Sequence, residues 1–363
     1  MIAFIKDFFH RFAHGTLRRK IVTILLIVCY LFLLLMAFVK TNIVVTTPGV
    51  INNTAQSANE NKGIVPLTID TTNSSGKIYT IGVYSHYRVS LFQYFLSLLS
   101  KDVAISTYDQ NNDLSEDEEY LRGVIHKEIS INNAIIVAYE EAKKKDPSIV
   151  IDKEFLGIKV SAITKQSQSN LKIGDLIIKF NDTVLSDLNQ FMTLLNAQNN
   201  SDFFSLSVIR NNKEVVIQSR MIALVDEQQN TIYRLGVEAL PDYKIIDKFP
   251  KYKLNDKIDS IGGSGGAMLA LAIYNSLLAE DITMGKTIVG TGTINIDGKI
   301  GDIGAVSQKI VTASLFNVDY FFVNPEDYEE AYQKYQTINP SFELVKVNTF
   351  QDILIYLEGE KHG

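Results

Sequence analysis

The sequence predicts a mixed α/β protein, α/β or α+β in class, that follows an N-terminal transmembrane helix. Three observations predict it: an uncharged apolar run at residues 21–39, alternating strand-like and helix-like apolar periods from residue 77 onward, and a hairpin signal at Asp297-Gly298. At 363 residues the chain is long enough for two or three domains. Its net charge of −6 offers no basic surface for nucleic acid.

The apolar run is long enough to cross a membrane. Ile21–Val39 contains 19 residues without a charge, proline or glycine, and at about 1.5 Å per residue it spans roughly the 30 Å hydrocarbon core. A signal peptide has a shorter apolar core and a small-residue cleavage site, and a buried core helix is the other alternative. Basic residues at 18–20 precede the run and only Lys40 follows it closely, which predicts a cytoplasmic segment 1–20 and a single uncleaved anchor. The rest of the chain is then expected outside the cytoplasm, at the cell membrane.

No disulfide, metal or nucleotide site is predicted. The one cysteine, Cys29, lies inside the apolar run, so the exported part depends on core burial for its stability. No His-Glu-x-x-His motif or cysteine pair suggests a metal, and no cofactor is expected. Gly285-Lys286-Thr287 lacks the earlier glycine and the preceding strand that a phosphate loop requires.

Residues 41–125 are predicted to form an extracytoplasmic N-terminal region. Its polar first part contains short strand-like segments at 43–50 and 63–69, with a stalk as the alternative. The predicted elements that follow are a strand at 77–85, a helix at 89–100, a solvated acidic loop at 109–119 and a helix that runs to about Lys145. Three lysines in the last turn and Pro147 beyond it are typical of a helix end.

The segment 126–225 resembles a PDZ domain of the bacterial type. The most specific piece is Leu171–Ile177, where Gly174 and Asp175 form a turn before a strand; the other matching pieces are 155–163, 178–187, the helix 188–198 and the strands 203–219. The resemblance implies that an extended peptide binds by strand addition. It also implies that the backbone N–H groups of Leu156, Gly157 and Ile158 receive the peptide carboxylate. The alternative is a small domain that only packs against its neighbour.

Ser264 lies between two glycines immediately before an apolar helix. Gly263 and Gly265 permit close approach of another backbone, and the residues that follow have apolar side chains at helical spacing up to Asn275. A helix start offers free N–H groups and a positive dipole end to an anion or a developing oxyanion. A turn that merely caps a core helix explains this stretch equally well.

A serine hydroxyl needs a nearby base to act as a nucleophile. The histidines outside the apolar run and its basic flank, His86, His126 and His362, have no suggestive sequence context, so a Ser-His-Asp triad is not predicted. A lysine can serve when burial lowers its pKa. Lys309 qualifies, because it follows a glycine turn and has apolar neighbours on both sides. A surface lysine on an amphipathic helix is the alternative.

Residues 230–360 resemble the proteolytic domain of Lon-type serine–lysine peptidases. Ser264 stands at the family's serine, Thr291 at the threonine that supports the lysine, and Lys309 at the catalytic lysine, 45 residues after the serine as in the family. The resemblance implies that Gly263 and Gly265 belong to the loop that holds the oxyanion. The order of anchor, PDZ-like segment and Lon-type segment resembles the membrane-anchored PDZ–Lon proteins of Gram-positive bacteria, the YlbL-like group.

The resemblance implies a membrane-anchored serine endopeptidase with a Ser-Lys dyad that cleaves extracytoplasmic or membrane-proximal proteins. Because no nucleotide loop is found, the reaction is expected to be independent of ATP. The expected partners are protein or peptide substrates and the membrane, not nucleic acid or nucleotide, and the oligomeric state is left open. The sequence departs from the family pattern at Gly263, Gly265 and Ala305, which replace a proline, an alanine and a glycine. The alternative function is therefore a catalytically weak or inactive relative that acts as a peptide-binding adaptor.

Overall fold

A computed structural model describes residues 2–53, 67–69, 74–198, 202–225, 229–254 and 261–362. The predicted mixed α/β architecture is confirmed. The chain divides into two compact units, the first Met1–Thr47 with Ser85–Tyr108 and the second Pro48–Tyr84 with Asp109–Gly363.

Helices and strands alternate through most of the described chain. The helices are α1 (Ile2–Ala13), α2 (Leu17–Phe38), α3 (Leu91–Ser97), α4 (Glu116–Lys145), α5 (Leu188–Asn196), α6 (Gly266–Leu277), α7 (Val306–Ser314), α8 (Tyr328–Ile338) and α9 (Phe350–His362). The strands are β1 (Ile43–Asn53), β2 (Leu67–Ile69), β3 (Lys77–His86), β4 (Ala104–Thr107), β5 (Val150–Ile163), β6 (Leu176–Phe180), β7 (Thr183–Val184), β8 (Phe204–Arg210), β9 (Lys213–Ser219), β10 (Ile222–Val225), β11 (Thr231–Arg234), β12 (Val237–Phe249), β13 (Tyr252–Leu254), β14 (Thr287–Gly290), β15 (Thr293–Ile294), β16 (Ile300–Gly301), β17 (Tyr320–Val323) and β18 (Glu343–Lys346).

The first unit contains the predicted anchor helix. None of the described side chains of α2 is buried, and its most apolar window has a mean hydropathy of 3.0. By length and composition α2 fits a membrane-spanning helix, and an N-terminal signal sequence satisfies the same criteria. The end of α2 is joined to α3, because the N–H of Leu91 donates to the carbonyl of Val39 at 2.9 Å and Lys40 forms a β-bridge with Ser90. In this unit the first part of β1 also pairs with β4.

Helix α4 ends at the residue that the sequence predicts, but it begins at Glu116, inside the acidic run 109–119 that was predicted to be a loop. Ser115 and Glu118 form a capping box at its start, and its last turn carries the three lysines up to Lys145. Buried apolar side chains in its second half, among them Ile135 and Tyr139, lie in one core cluster with those of α6 and α9. The sequence boundary at residue 126 therefore divides a continuous helix, and α4 packs with the C-terminal elements.

The C-terminal domain is a parallel sheet with helices on both faces. Strands β18, β17, β14 and β3 are neighbours in that order, with the second half of β1 beside β3. Along β17, Tyr320 and Phe322 belong to the core cluster with α4, α6 and α9, whereas Phe321 and Val323 belong to the cluster with α7 and α8. This alternation is the two-residue period of a strand buried on both faces. The predicted hairpin signal is confirmed, since β15 and β16 pair on either side of Asp297-Gly298.

The middle domain is an antiparallel sheet in the order β12-β5-β6-β8-β9, with β7 beside β6. Its core cluster includes two buried residues of α5, Phe191 and Leu195. Strand β12 pairs with β5 from Val237 opposite Ile163 to Phe249 opposite Val150. Strand β12 lies in the segment 230–360 that was predicted to be Lon-type, but its pairing places it in the middle sheet. The middle domain, residues 150–249, therefore interrupts the chain of the C-terminal domain between α4 and α6.

Two sequence predictions fall partly on residues outside the described ranges. Of the strand predicted at 63–69, the described part is β2, which pairs with β13. Asp259 and Ser260, at the start of the serine motif, lie outside the described residues.

Candidate active site

Ser264 lies in a tight loop that leads directly into α6. The loop is attached to the neighbouring strand, because the carbonyl of Ser264 accepts from the N–H of Gly292 at 2.8 Å and the carbonyl of Gly292 accepts from Ala267 at 3.2 Å. Within the described part of the chain, the N–H groups of Ser264 and Gly265 have no recorded acceptor. These two N–H groups are at the start of a helix, where such donors can face an oxyanion.

The packing around Gly265 leaves no room for a side chain. A Cβ at this position would lie 2.8 Å from Cγ2 of Thr80 on β3. An alanine after the serine, as in the Lon-type pattern, would therefore displace Thr80. The departure at Gly265 fits this chain's own packing.

Helix α4 supports the serine loop from outside the C-terminal segment. The hydroxyl of Ser130, which is buried, donates to the carbonyl of Gly263 at 2.9 Å. About two turns earlier in α4, the carbonyl of Gly123 accepts from the N–H of Gly262 at 2.8 Å. The sequence analysis missed Ser130, because a serine within a helix carries no local signal of a contact 133 residues away.

Lys309 lies on the buried side of α7 and is only 2% exposed. Its Nζ atom donates to Oγ1 of Thr291 at 3.0 Å. Burial lowers the pKa of Lys309 from 10.5 to about 8, although the negative charge of Asp327 partly opposes this shift. A lysine in this environment exchanges its proton near neutral pH, as a general base must. The alternative of a surface lysine is excluded by this burial.

Thr291 joins the lysine to the serine loop. Besides accepting from Lys309, its hydroxyl donates to the carbonyl of Ser264 at 3.3 Å. Thr291 is 2% exposed and immediately follows β14, where its N–H donates to the carbonyl of Phe322 on β17 at 3.0 Å. The hydroxyl of Thr291 therefore contacts both the amine of Lys309 and the backbone carbonyl of Ser264.

Asp327 is a charged neighbour of this site that the sequence analysis missed. Its carboxylate accepts from the N–H of Ile303 at 3.0 Å. Burial raises the pKa of Asp327 to about 6, although that hydrogen bond and the charge of Lys309 oppose the shift. Asp327 therefore sets part of the electrostatic potential at the lysine.

Ala305 begins α7 in a left-handed conformation, with φ of 59°. The Lon-type pattern has glycine here, and only glycine adopts this region without steric cost. The hydrogen bond from the N–H of Lys309 to the carbonyl of Ala305, at 3.2 Å, nevertheless forms. The departure at Ala305 adds strain beside the lysine but keeps the helical turn that presents it.

His126 is engaged elsewhere. Its Nε2 atom lies 3.1 Å from Oε1 of Glu238 on β12, whose other oxygen accepts from Nε of Arg122 at 2.6 Å. Burial raises the pKa of Glu238, but the nearby His126 and the hydrogen bonds from Arg122 outweigh this and bring it to about 2. Among the described residues no group of three or more His, Cys, Asp or Glu side chains has the arrangement of a metal site.

The three residues predicted to bind a peptide carboxylate lie inside β5 rather than in a loop. Ile158 pairs with Ile177 of β6 on one side and with Pro241 of β12 on the other. Gly157, opposite Asp242, has φ of 149°, and a Cβ there would lie 2.5 Å from the carbonyl oxygen of Ile177. Ile158 is thus paired on both edges with strands of the same chain, and Gly157 is paired with β12.

Comparison with known proteins gives similarity for a limited part of the chain. No family model matches the sequence, and no curated protein matches it. Among solved structures, the chain is similar to the PDZ domain of an SdrC-like protein from Listeria monocytogenes, with 15% identity and a TM-score of 0.20, over 23% of this chain and 88% of that one. It is also similar to the PDZ domain of an SdrC-like protein from Listeria innocua, with 15% identity and a TM-score of 0.20, over 23% of this chain and 92% of that one.

Proposed function

We propose that this protein is a membrane-anchored, ATP-independent serine endopeptidase with Ser264 as nucleophile and Lys309 as general base. The observation that carries the proposal is the contact between a buried lysine amine and Thr291 Oγ1, which also bonds to the backbone of Ser264. A lysine whose pKa is about 8 holds a usable fraction of neutral amine near neutral pH.

In the proposed reaction the neutral amine of Lys309 takes the proton of the Ser264 hydroxyl as its oxygen attacks a peptide carbonyl. Backbone N–H groups at the start of α6 stabilise the oxyanion. The carbon–nitrogen bond breaks, and the ammonium of Lys309 returns the proton to the leaving amine. Water then attacks the acyl-enzyme, with Lys309 again accepting a proton, and releases the new carboxylate and the free serine. Thr291 orients the amine throughout.

Helix α2 anchors the enzyme in this proposal, with the N-terminus in the cytoplasm and the remainder outside. The hydrogen bond between Leu91 and Val39 and the bridge between Ser90 and Lys40 support an anchor over a cleaved signal, because cleavage at the end of α2 would remove these contacts.

The middle domain is proposed to bind peptide segments of the substrate. This part of the proposal rests on the PDZ resemblance of its sequence. Because β12 occupies one edge of β5 at Gly157 and Ile158, a peptide that adds to that edge must compete with β12.

The alternative, an inactive peptide-binding adaptor, is favoured by the strained Ala305 next to the lysine. A fluorophosphonate probe on the full-length protein in detergent distinguishes the two functions. The enzyme is expected to be labelled at Ser264 and to cleave casein without ATP and in the presence of chelator. Ser264→Ala is expected to abolish both, whereas Ser276→Ala, a serine of α6 that bonds only within its helix, keeps them. A folded protein that neither labels nor cleaves would support the adaptor.

A further inference from the structure

Helix α3 has an apolar face that no described residue covers. Its exposed large side chains and their exposed fractions are Leu91 36%, Phe92 36%, Phe95 57%, Leu96 48%, Leu98 54% and Leu99 75%. At 100° per residue these positions fall on one side of the helix and its C-terminal extension, and Gln93, Ser97 and Ser100 fall on the other. Isolated exposed leucines are ordinary, but a continuous face of six large apolar side chains indicates an interaction surface.

The position of α3 in the chain indicates what covers this face. Its first residue bonds to Val39, directly after the last turn of α2, and Ser90 bridges Lys40. Val89 and Ser90 are themselves buried, so this junction is packed and holds α3 at the end of α2. If α2 crosses a bilayer, its end lies at the boundary between acyl chains and headgroups, and α3 is held at that depth.

The charges near α3 are those of a membrane surface helix. Lys40 and Arg88 are exposed on either side of the junction, where cations can reach lipid headgroups. The helix itself contains no charged residue. A short apolar face flanked by cations is the pattern of a segment that lies in the interface plane.

We propose that α3 lies in the membrane–water interface on the extracytoplasmic side of the membrane that α2 spans. Its phenylalanine and leucine side chains lie among the lipid acyl chains and form a second attachment beside α2. The proposal rests on α2 being an anchor, which is part of the proposed function, but not on the peptidase chemistry. Its partner is the lipid bilayer, and a second copy of the chain on the same face is the competing occupant.

The absence of tryptophan from the sequence makes the test direct, because a single introduced tryptophan is the only indole that fluoresces. Three full-length variants are reconstituted in phosphatidylcholine vesicles with or without bromine on the acyl chains. Phe95→Trp reports the α3 face, Ser100→Trp its polar side, and Leu31→Trp the middle of α2. Bromolipids are expected to quench Leu31→Trp and Phe95→Trp, with Phe95→Trp quenched more by shallow than by deep bromine, and to leave Ser100→Trp nearly unchanged.

Each other outcome has a definite meaning. Quenching of Leu31→Trp without quenching of Phe95→Trp overturns the α3 proposal and leaves the anchor intact. If the emission of Phe95→Trp is then blue-shifted, protein covers the face, as a second copy would. Failure to quench Leu31→Trp overturns the anchor and the α3 proposal together, while the labelling of Ser264 still tests the chemistry separately.

Discussion

The amine of Lys309 lies 3.0 Å from the hydroxyl oxygen of Thr291, in the interior of a domain whose sequence places the two residues 18 positions apart. Burying an ammonium group is costly, and here the cost appears as a pKa lowered to about 8. The same hydroxyl bonds to the carbonyl of Ser264. The hydroxyl of Thr291 therefore connects the lysine amine to the serine loop, and this arrangement makes specific predictions.

The first prediction concerns pH. If neutral Lys309 is the base, activity is low while it is protonated and rises with pH through about 8. The increase in kcat/KM between pH 7 and pH 9 is expected to be about tenfold, the change in the neutral fraction around that midpoint. Asp327→Asn removes a charge that raises the pKa of Lys309, so it is expected to move the profile to lower pH. Lys309→Arg is expected to be inactive at every pH tested. Activity in Lys309→Arg would show that another group is the base.

The second prediction separates the hydroxyl of Thr291 from its bulk. Thr291→Val keeps the shape but removes both hydrogen bonds, and it leaves a buried amine without this acceptor. A loss of about 2 kcal/mol in transition-state stabilisation corresponds to roughly a 30-fold lower kcat. Thr291→Ser restores the hydroxyl and is expected to regain most of the activity. Steady-state kinetics on a fluorogenic peptide, with urea unfolding as a check of the fold, measure this. Equal kinetics for the two variants would remove Thr291 from the mechanism.

The third prediction tests the support from α4. Ser130→Ala leaves the carbonyl of Gly263 with one donor, the N–H of Gly266 at 3.0 Å. Loss of this hydrogen bond is expected to weaken the positioning of the loop by about 1 kcal/mol. This lowers kcat roughly fivefold, with a smaller effect on KM. Ser276→Ala is the matched control, since its hydroxyl bonds only to the carbonyl of Ala272 within α6. A change in KM alone would assign Ser130 to substrate binding instead.

The fourth prediction concerns backbone strain at Ala305. Its left-handed conformation favours glycine, so Ala305→Gly is expected to raise the free energy of unfolding by about 1 kcal/mol. Gly304→Ala is the control, because a Cβ there meets nothing within 4 Å and the residue has no positive φ. Chemical denaturation in detergent measures both. If Ala305→Gly lowered stability, the strain attributed to this position would be wrong.

Local signals in the sequence predict the parts of this fold that depend on neighbouring residues. The lysines before Pro147 place the end of α4, and Asp297-Gly298 places a hairpin. The start of α4 is predicted too late, because the acidic run to Glu119 is interpreted as a loop, whereas Ser115 and Glu118 cap a helix that begins at Glu116. Lys309 is also predictable, since its neighbours in sequence are apolar and its burial follows from the helical period.

Contacts between distant segments are not predictable in this way. Ser130 supports a loop 133 residues away, and no residue near it in sequence indicates this. The position of Asp327 before α8 indicates only a residue at a helix start. Its charge lies near Lys309 because of the fold. Strands β12 and β5 pair although β6 to β9 lie between them in the sequence. No local signal indicates such a pairing, so β12 was predicted to belong to the following domain.

The last prediction concerns how a peptide reaches the middle domain. On one edge of β5, Pro241 of β12 lies opposite Ile158 and Asp242 lies opposite Gly157. A peptide that ends in a free apolar carboxylate and adds to this edge must therefore take the place of β12. Hydrogen exchange on the full-length protein is then expected to become faster in residues 237–249 when the peptide binds, because their ladder bonds are released.

The matched control is the same peptide with an amidated C-terminus. It is expected to bind several-fold more weakly, because it lacks the charged carboxylate that accepts hydrogen bonds from backbone N–H groups. Binding of the free peptide without faster exchange in 237–249 would place it elsewhere, for example on the outer edge of β9, which has one strand neighbour in the described sheet. Equal binding of the two peptides would leave Leu156, Gly157 and Ile158 as structural residues of the central strand. If the peptide does displace β12, it disturbs the contact of Glu238 with Arg122 and His126 on α4. Because α4 also holds the loop of Ser264, peptide binding is then expected to change the position of that loop.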